Sequence, residues 1–117
     1  VSQRVTLVPR VPPVPASALN AWLEARGDVQ RLEADSFLVE LANADIASQA
    51  EIATAPDGEP IRRVSIVMGS GGAPYGTSLV SEVRKLCEEL AARFDLLVEL
   101  PGGRKKAVDI FFDEGGL

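Results

Sequence analysis

The side chains most able to do chemistry lie together in one stretch, Gly69-Ser70-Gly71-Gly72-Ala73-Pro74-Tyr75-Gly76-Thr77-Ser78. Glycines let an anion approach the backbone closely, and a helix opening at Thr77 or Ser78 would aim unpaired N–H groups and the positive end of its dipole at it. Ser70, Thr77 and Ser78 add hydroxyl donors, and Tyr75 adds an aromatic contact. The chemistry on offer is binding of phosphate, a nucleotide or a flavin, with Gly69, Ser70, Gly71, Gly72, Tyr75, Gly76, Thr77 and Ser78 as candidate ligand-binding residues. The competing expectation is a surface connection whose Thr77 or Ser78 only caps the helix. No lysine precedes Thr77, so the stretch is not a P-loop, and its glycines give no clean Gly-x-Gly-x-x-Gly.

Other reactive groups are few. The chain has no histidine, which removes Ser-His-Asp and Cys-His catalysis, histidine-ligated zinc and imidazole proton transfer. Its single cysteine, Cys87, falls between Val83 and Leu90 on an apolar stripe, where a thiol behaves as a small hydrophobe. Asp109, Asp113 and Glu114 supply too few oxygens for Mg²⁺ or Ca²⁺ by themselves, and two aspartates four apart on a strand fit the wet face of a sheet. Arg104-Lys105-Lys106 reads as a solvated hairpin tip. No catalytic residue, metal ligand or cofactor is assigned. Trp22 is expected to anchor a first helix against the sheet.

These groups need elements to hold them. Arg4 to Val8 favours a strand, and prolines at 9, 12, 13 and 15 then remove backbone donors, so residues 1–15 read as an extended Pro-rich arm. Ala18, Leu19, Trp22 and Leu23 recur at helical spacing, with Ser17 as the expected cap and Gly27 as the stop. Val29 to Leu41 predicts a hairpin turning at Ala34-Asp35-Ser36. Ile46 to Ala55 fits helix or strand and leans to strand, because Pro56-Asp57-Gly58-Glu59-Pro60 is turn chemistry leading into the strand Arg62 to Met68. Leu79, Val80, Val83, Leu86, Cys87, Leu90, Ala91 and Phe94 predict a long amphipathic helix. Strands are expected at Leu96 to Leu100 and Ala107 to Phe112, joined through a Pro101-Gly102-Gly103 turn, with a frayed tail from Asp113. At an offset of 59 residues, Val5 to Val8 falls on Val64 to Val67 and Phe37 to Leu41 on Leu96 to Leu100. Duplication and chance both account for this echo.

The piece from Val64 to Phe94, a strand ending in Gly-Ser before a helix opened by Ser/Thr, is similar to the phosphate loops of flavodoxin-like flavin reductases. The resemblance implies flavin phosphate bound between Gly69 and Ser78. Only two strands are expected after the long helix, however, too few for the remainder of a five-stranded doubly wound sheet. The pattern as a whole predicts an α/β (α+β) fold, with two helices packed on one face of a mostly antiparallel sheet of about five or six strands.

At 117 residues and 46% hydrophobic content, residues 1–117 are expected to form one α/β domain. Seventeen acidic side chains against twelve basic ones give a net charge of −5, which argues against nucleic acid as a partner. No apolar run reaches the length of a membrane span, and a lone cysteine needs no oxidising compartment, so the expected location is cytoplasmic. The function expected from these residues is a non-catalytic protein-binding module: an accessory subunit, an inhibitor or immunity-type partner, or a regulatory domain, with a homodimer also open. The alternative is a phosphate-, nucleotide- or flavin-binding protein using the loop 69–78.

Overall fold

The alternation in Val5-Thr6-Leu7 and in Val64-Ser65-Ile66-Val67-Met68 is realised as two neighbouring strands at the middle of a sheet. The computed structural model describes residues 3–41, 48–69 and 77–115. In chain order these form β1 (Gln3–Pro9), β2 (Val14–Pro15), α1 (Ala16–Glu24), β3 (Val29–Glu33), β4 (Ser36–Leu41) and β5 (Ser48–Ala53). Then follow β6 (Pro60–Ile61), β7 (Val64–Gly69), α2 (Thr77–Phe94), β8 (Leu96–Glu99), β9 (Lys105–Lys106) and α3 (Val108–Asp113). Seven strands make one sheet in the order β3-β4-β5-β7-β1-β8-β9, and β2 with β6 makes a separate two-stranded ribbon. Every neighbouring pair in the large sheet is antiparallel. The predicted α+β architecture is therefore the observed one, with seven strands and a third helix.

Register explains the core. Phe37 lies opposite Ile52, Ile52 opposite Ile66, and Ile66 opposite Val5, so one row crosses four strands on a single face. Val39, Ala50 and Met68 make a second row, and Leu7 meets both Val64 and Val98. All of these are at most 1% exposed. Leu19 and Leu23 of α1, Val83, Leu86, Cys87 and Leu90 of α2, and Val108, Phe111 and Phe112 of α3 complete the same cluster. Each fully buried aliphatic or aromatic side chain contributes about 1.5–3 kcal/mol. The ribbon adds Val14 opposite Ile61, both buried, which ties the proline segment to the body of the fold.

Several expectations are corrected. Ala107 to Phe112 is not a strand, because α3 occupies Val108–Asp113. Strand alternation would bury Val108, Ile110 and Phe112 together; instead Val108, Phe111 and Phe112 are buried and Ile110 is 50% exposed, which is the three- and four-residue step of a helix. Asp113 is consequently helical rather than frayed and pairs with Arg84 at 2.8 Å. Ser17 does not cap α1. The helix starts two residues earlier, at Ala16 with Pro15 at its N-cap, and the Ala16 N–H donates to the Glu59 carbonyl instead. Trp22 is partly buried and packs against the core cluster, and it meets Phe94 of α2 edge to face at 6.2 Å with Arg26 over its ring, so it also joins two helices.

The 59-residue echo also fails as a structural repeat. A two-fold relating β1 to β7 would carry β8 onto β5, the strand on the far side of β7, whereas the echo matches β8 to β4. The likeness is one of generic strand residues.

Candidate functional site

The glycine loop can be placed only by its ends. β7 runs Val64–Gly69, starting two residues after and ending one residue beyond the expected strand Arg62 to Met68, and Thr77 opens α2. Ser70, Gly71, Gly72, Tyr75 and Gly76 lie outside the described residues, as do the side chains of Thr77 and Ser78. Arg62 and Arg63 precede the start of β7 while Gly69 ends it. Six residues of strand, at about 3.3 Å each, keep those guanidinium-bearing residues about 20 Å of backbone from the loop. The Arg104 cluster follows the Pro101–Gly103 turn, where Gly102 and Gly103 take φ of +89° and +87°, and Lys105–Lys106 forms the edge strand β9.

The nucleophile candidate is inert. Cys87 is fully buried, and burial, with the charge of Glu88 adding to it, pushes its thiol up to about 12. Among the described residues no group of three His, Cys, Asp or Glu side chains could hold a metal ion. Asn20, the one buried polar side chain among the described residues, is fully engaged. Its Nδ2 donates to the Ala55 carbonyl at 2.8 Å and to Asp57 Oδ1 at 2.9 Å, while its Oδ1 accepts from the Thr54 hydroxyl at 2.7 Å. That clasp fastens α1 to the turn after β5. The Asn20 bond, with Arg31 nearby, holds the Asp57 carboxyl below its ordinary value.

What remains is the other face of the sheet. Side chains alternate across a strand, so the register that buries Val5, Ile66, Ile52 and Phe37 must turn Arg4, Val67, Glu51 and Leu38 outward. All three helices lie on the buried face: Arg31 of β3 reaches Glu24 of α1, Lys106 of β9 reaches Glu114 just after α3, and Arg84 of α2 reaches Asp113. No described helix covers the outward face. At the end of this face, next to the ribbon, an open groove of about 1200 Å³ is walled by Pro9, Pro12, Pro13 and Ile61. Its charged lining is Arg62, Arg63 and Lys105 against Glu59 and Glu99, a positive balance in a chain whose net charge is −5.

Charge is also divided across the face. Arg63 pairs with Glu99 at 3.1 Å, and most other cations of the molecule meet a carboxylate, such as Arg26 with Glu89 and Arg10 with Asp95. Arg4 and Lys105 point outward with no ion-pair partner, and Arg62 and Arg104 likewise have none among the described residues. Across the sheet, Glu33 and Glu51 point outward, exposed and equally unpaired. Nothing in the chain's local pattern singles out Arg4, Glu33 or Glu51, because their common face emerges only from register. No family model, no curated protein and no solved structure matches the chain.

Proposed function

We propose that this chain is a non-catalytic module that binds another protein through the helix-free face of its sheet. The observation that carries the reading is the charge on that face: unpaired Arg4 and Lys105 on one side, unpaired Glu33 and Glu51 on the other, around the half-buried Val67. In a chain where most cations already have an internal carboxylate, charges left open on one surface are available for complementarity with a partner. The proline-walled groove supplies concave apolar surface beside them, with Arg62 and Lys105 suited to carboxylates. An acidic chain carrying these few cations is poorly matched to nucleic acid. Accessory subunit, inhibitor and regulatory domain are all roles such a surface serves.

The test is site-specific photo-crosslinking in the native extract, with the reactive group at Val67 on the open face and, separately, at Glu88 on the solvent side of α2. Discrete protein adducts from position 67 and none from position 88 are expected. A thermal shift with FMN, nucleotide or phosphate, together with no adduct from position 67, would overturn the reading in favour of the loop 69–78.

A further inference from the structure

We infer that one occupant of the open face is a second copy of this chain, stacked face to face about a two-fold axis that runs along β7. This rests on the reading of the face as a binding surface and adds the identity of what covers it. In the sheet β7 is the middle strand, with β5, β4 and β3 on one side and β1, β8 and β9 on the other. A two-fold axis parallel to the strands and lying over β7 would place β5 of one copy on β1 of the other, and β3 on β9, while keeping each residue at its own level along the strand. Register then decides which side chains meet.

Arg4, Val67 and Glu51 occupy one row, since Arg4 lies opposite Val67 and Val67 opposite Glu51. Rotation about β7 sets Val67 on its own copy and brings Arg4 of each chain onto Glu51 of the other. The neighbouring outward row runs Glu33, Ser36, Ala53, Ser65, Thr6 through successive strand pairs. Glu99, the residue after Val98, continues it on β8, and Lys105 lies opposite Glu99. The same rotation therefore brings Lys105 onto Glu33 of the other copy. Each of these four charges is exposed, and none has an ion-pair partner among the described residues of its own chain. One symmetry operation satisfies all of them, with acid on base at two separate levels, and an isologous interface demands this self-complementarity. Seven strands about 4.8 Å apart, from two residues in β9 to seven in β1 and averaging about 17 Å in length, offer roughly 500 Å² of projected face per chain, toward the low end for specific association. The dimer is accordingly a reversible one, and it loosens as salt screens the two charge pairs.

A charge-swap experiment tests this. Glu33→Lys/Glu51→Lys reverses the acidic side, and Arg4→Glu/Lys105→Glu reverses the basic side; both leave every ion pair within the chain in place, so circular dichroism should report folded proteins. By sedimentation velocity at about 100 µM, the parent is expected to be dimeric and each double variant monomeric, a loss of at least about tenfold in association. An equimolar mixture of the two variants should recover the parent's sedimentation coefficient, because both contact sets are again acid on base. Val67→Cys, on the axis, should oxidise to a disulfide-linked dimer while Cys87 stays reduced. A monomeric parent, a double variant that stays dimeric, or a mixture that stays monomeric would each overturn the inference. If the parent is monomeric yet position 67 still cross-links to a different protein, only the second copy is lost. If position 67 cross-links to nothing, the protein-binding reading fails with it.

Discussion

The two faces of the sheet are built from the same strands, yet they end in opposite physical states. On β4, Phe37 is fully buried beneath the helices while Leu38, its neighbour in the chain, faces out half-buried. On β1, Val5 is in the core and Arg4 is exposed without an ion-pair partner among the described residues. The covered face spends its side chains on one apolar cluster, and even its charged members, Arg31 and Lys106, reach carboxylates on or beside the helices. The open face pairs Glu99 with Arg63 but leaves Arg4, Lys105, Glu33 and Glu51 without an ion-pair partner among the described residues. Stability resides on the first face and the capacity to associate on the second, so the two can be altered separately.

The widest gap between them should appear in Phe37→Ala against Leu38→Ala. Removing a fully buried ring is expected to cost about 3–5 kcal/mol, whereas truncating its outward neighbour should cost within about 1 kcal/mol. Urea denaturation of both variants measures the difference. Equal losses would mean that the outward face is packed as tightly as the inner one.

A smaller effect comes from the polar clasp under the covered face. Asn20→Ala removes the donors to Ala55 and Asp57 and the acceptor of the Thr54 hydroxyl, and should cost about 1–3 kcal/mol. Asp57 titrates below its ordinary 3.8 because Asn20 donates to it and Arg31 is close. A carboxyl lowered in the folded state contributes stability above that ordinary value, and the contribution is lost as pH falls through the folded one. Stability of the parent should therefore drop more steeply below pH 3.8 than that of Asn20→Ala, where the main cause of the shift is gone. Parallel acid limbs in the two proteins would contradict this.

A last effect is expected at Cys87 and only in alkali. Its thiol is raised from 9.0 to about 12 by burial. A group whose folded value is raised contributes stability that is complete below the unfolded value and is lost as pH climbs through the folded one. The parent should lose stability between pH 9.0 and about 12 by more than Cys87→Ala does. A thiol reagent at neutral pH should label the native protein only at the rate of its opening.

Much of the covered face was legible in the chain, because periodicity records it directly. The α2 stripe through Val83, Leu86, Cys87 and Leu90, the hairpin turning at Ala34-Asp35, and the strand pattern around Ile66 all appear where their spacing puts them. The lean of residues 48–53 toward strand also holds. α3 was misread for a local reason: Val108, Ile110, Phe111 and Phe112 favour strands by composition, and six residues are too few for periodicity to separate the two states. Packing of Phe111 and Phe112 into the cluster decided it. The open face was illegible for a different reason. Alternation shows that Arg4 and Glu51 avoid the core, but that they share a row follows only from β1 pairing with β7 and β7 with β5. The first of those pairings joins residues far apart in the chain, Arg4 with Val67, and the side chains of β7 alone do not choose among the antiparallel neighbours open to it.

The position of β1 also governs the timing of assembly. It pairs only with β7 and β8, both of which come much later in the chain. During synthesis, at about 5–20 residues per second, the segment Val5 to Val8 waits several seconds before any partner strand exists. The hairpins β3-β4 and β4-β5 close over short loops in the meantime, since their partners are consecutive. Insertion of β1 between β7 and β8 is thus a late, non-local event, of the kind that slows folding and leaves an apolar strand exposed to chaperones or to another nascent chain until the centre of the sheet is filled.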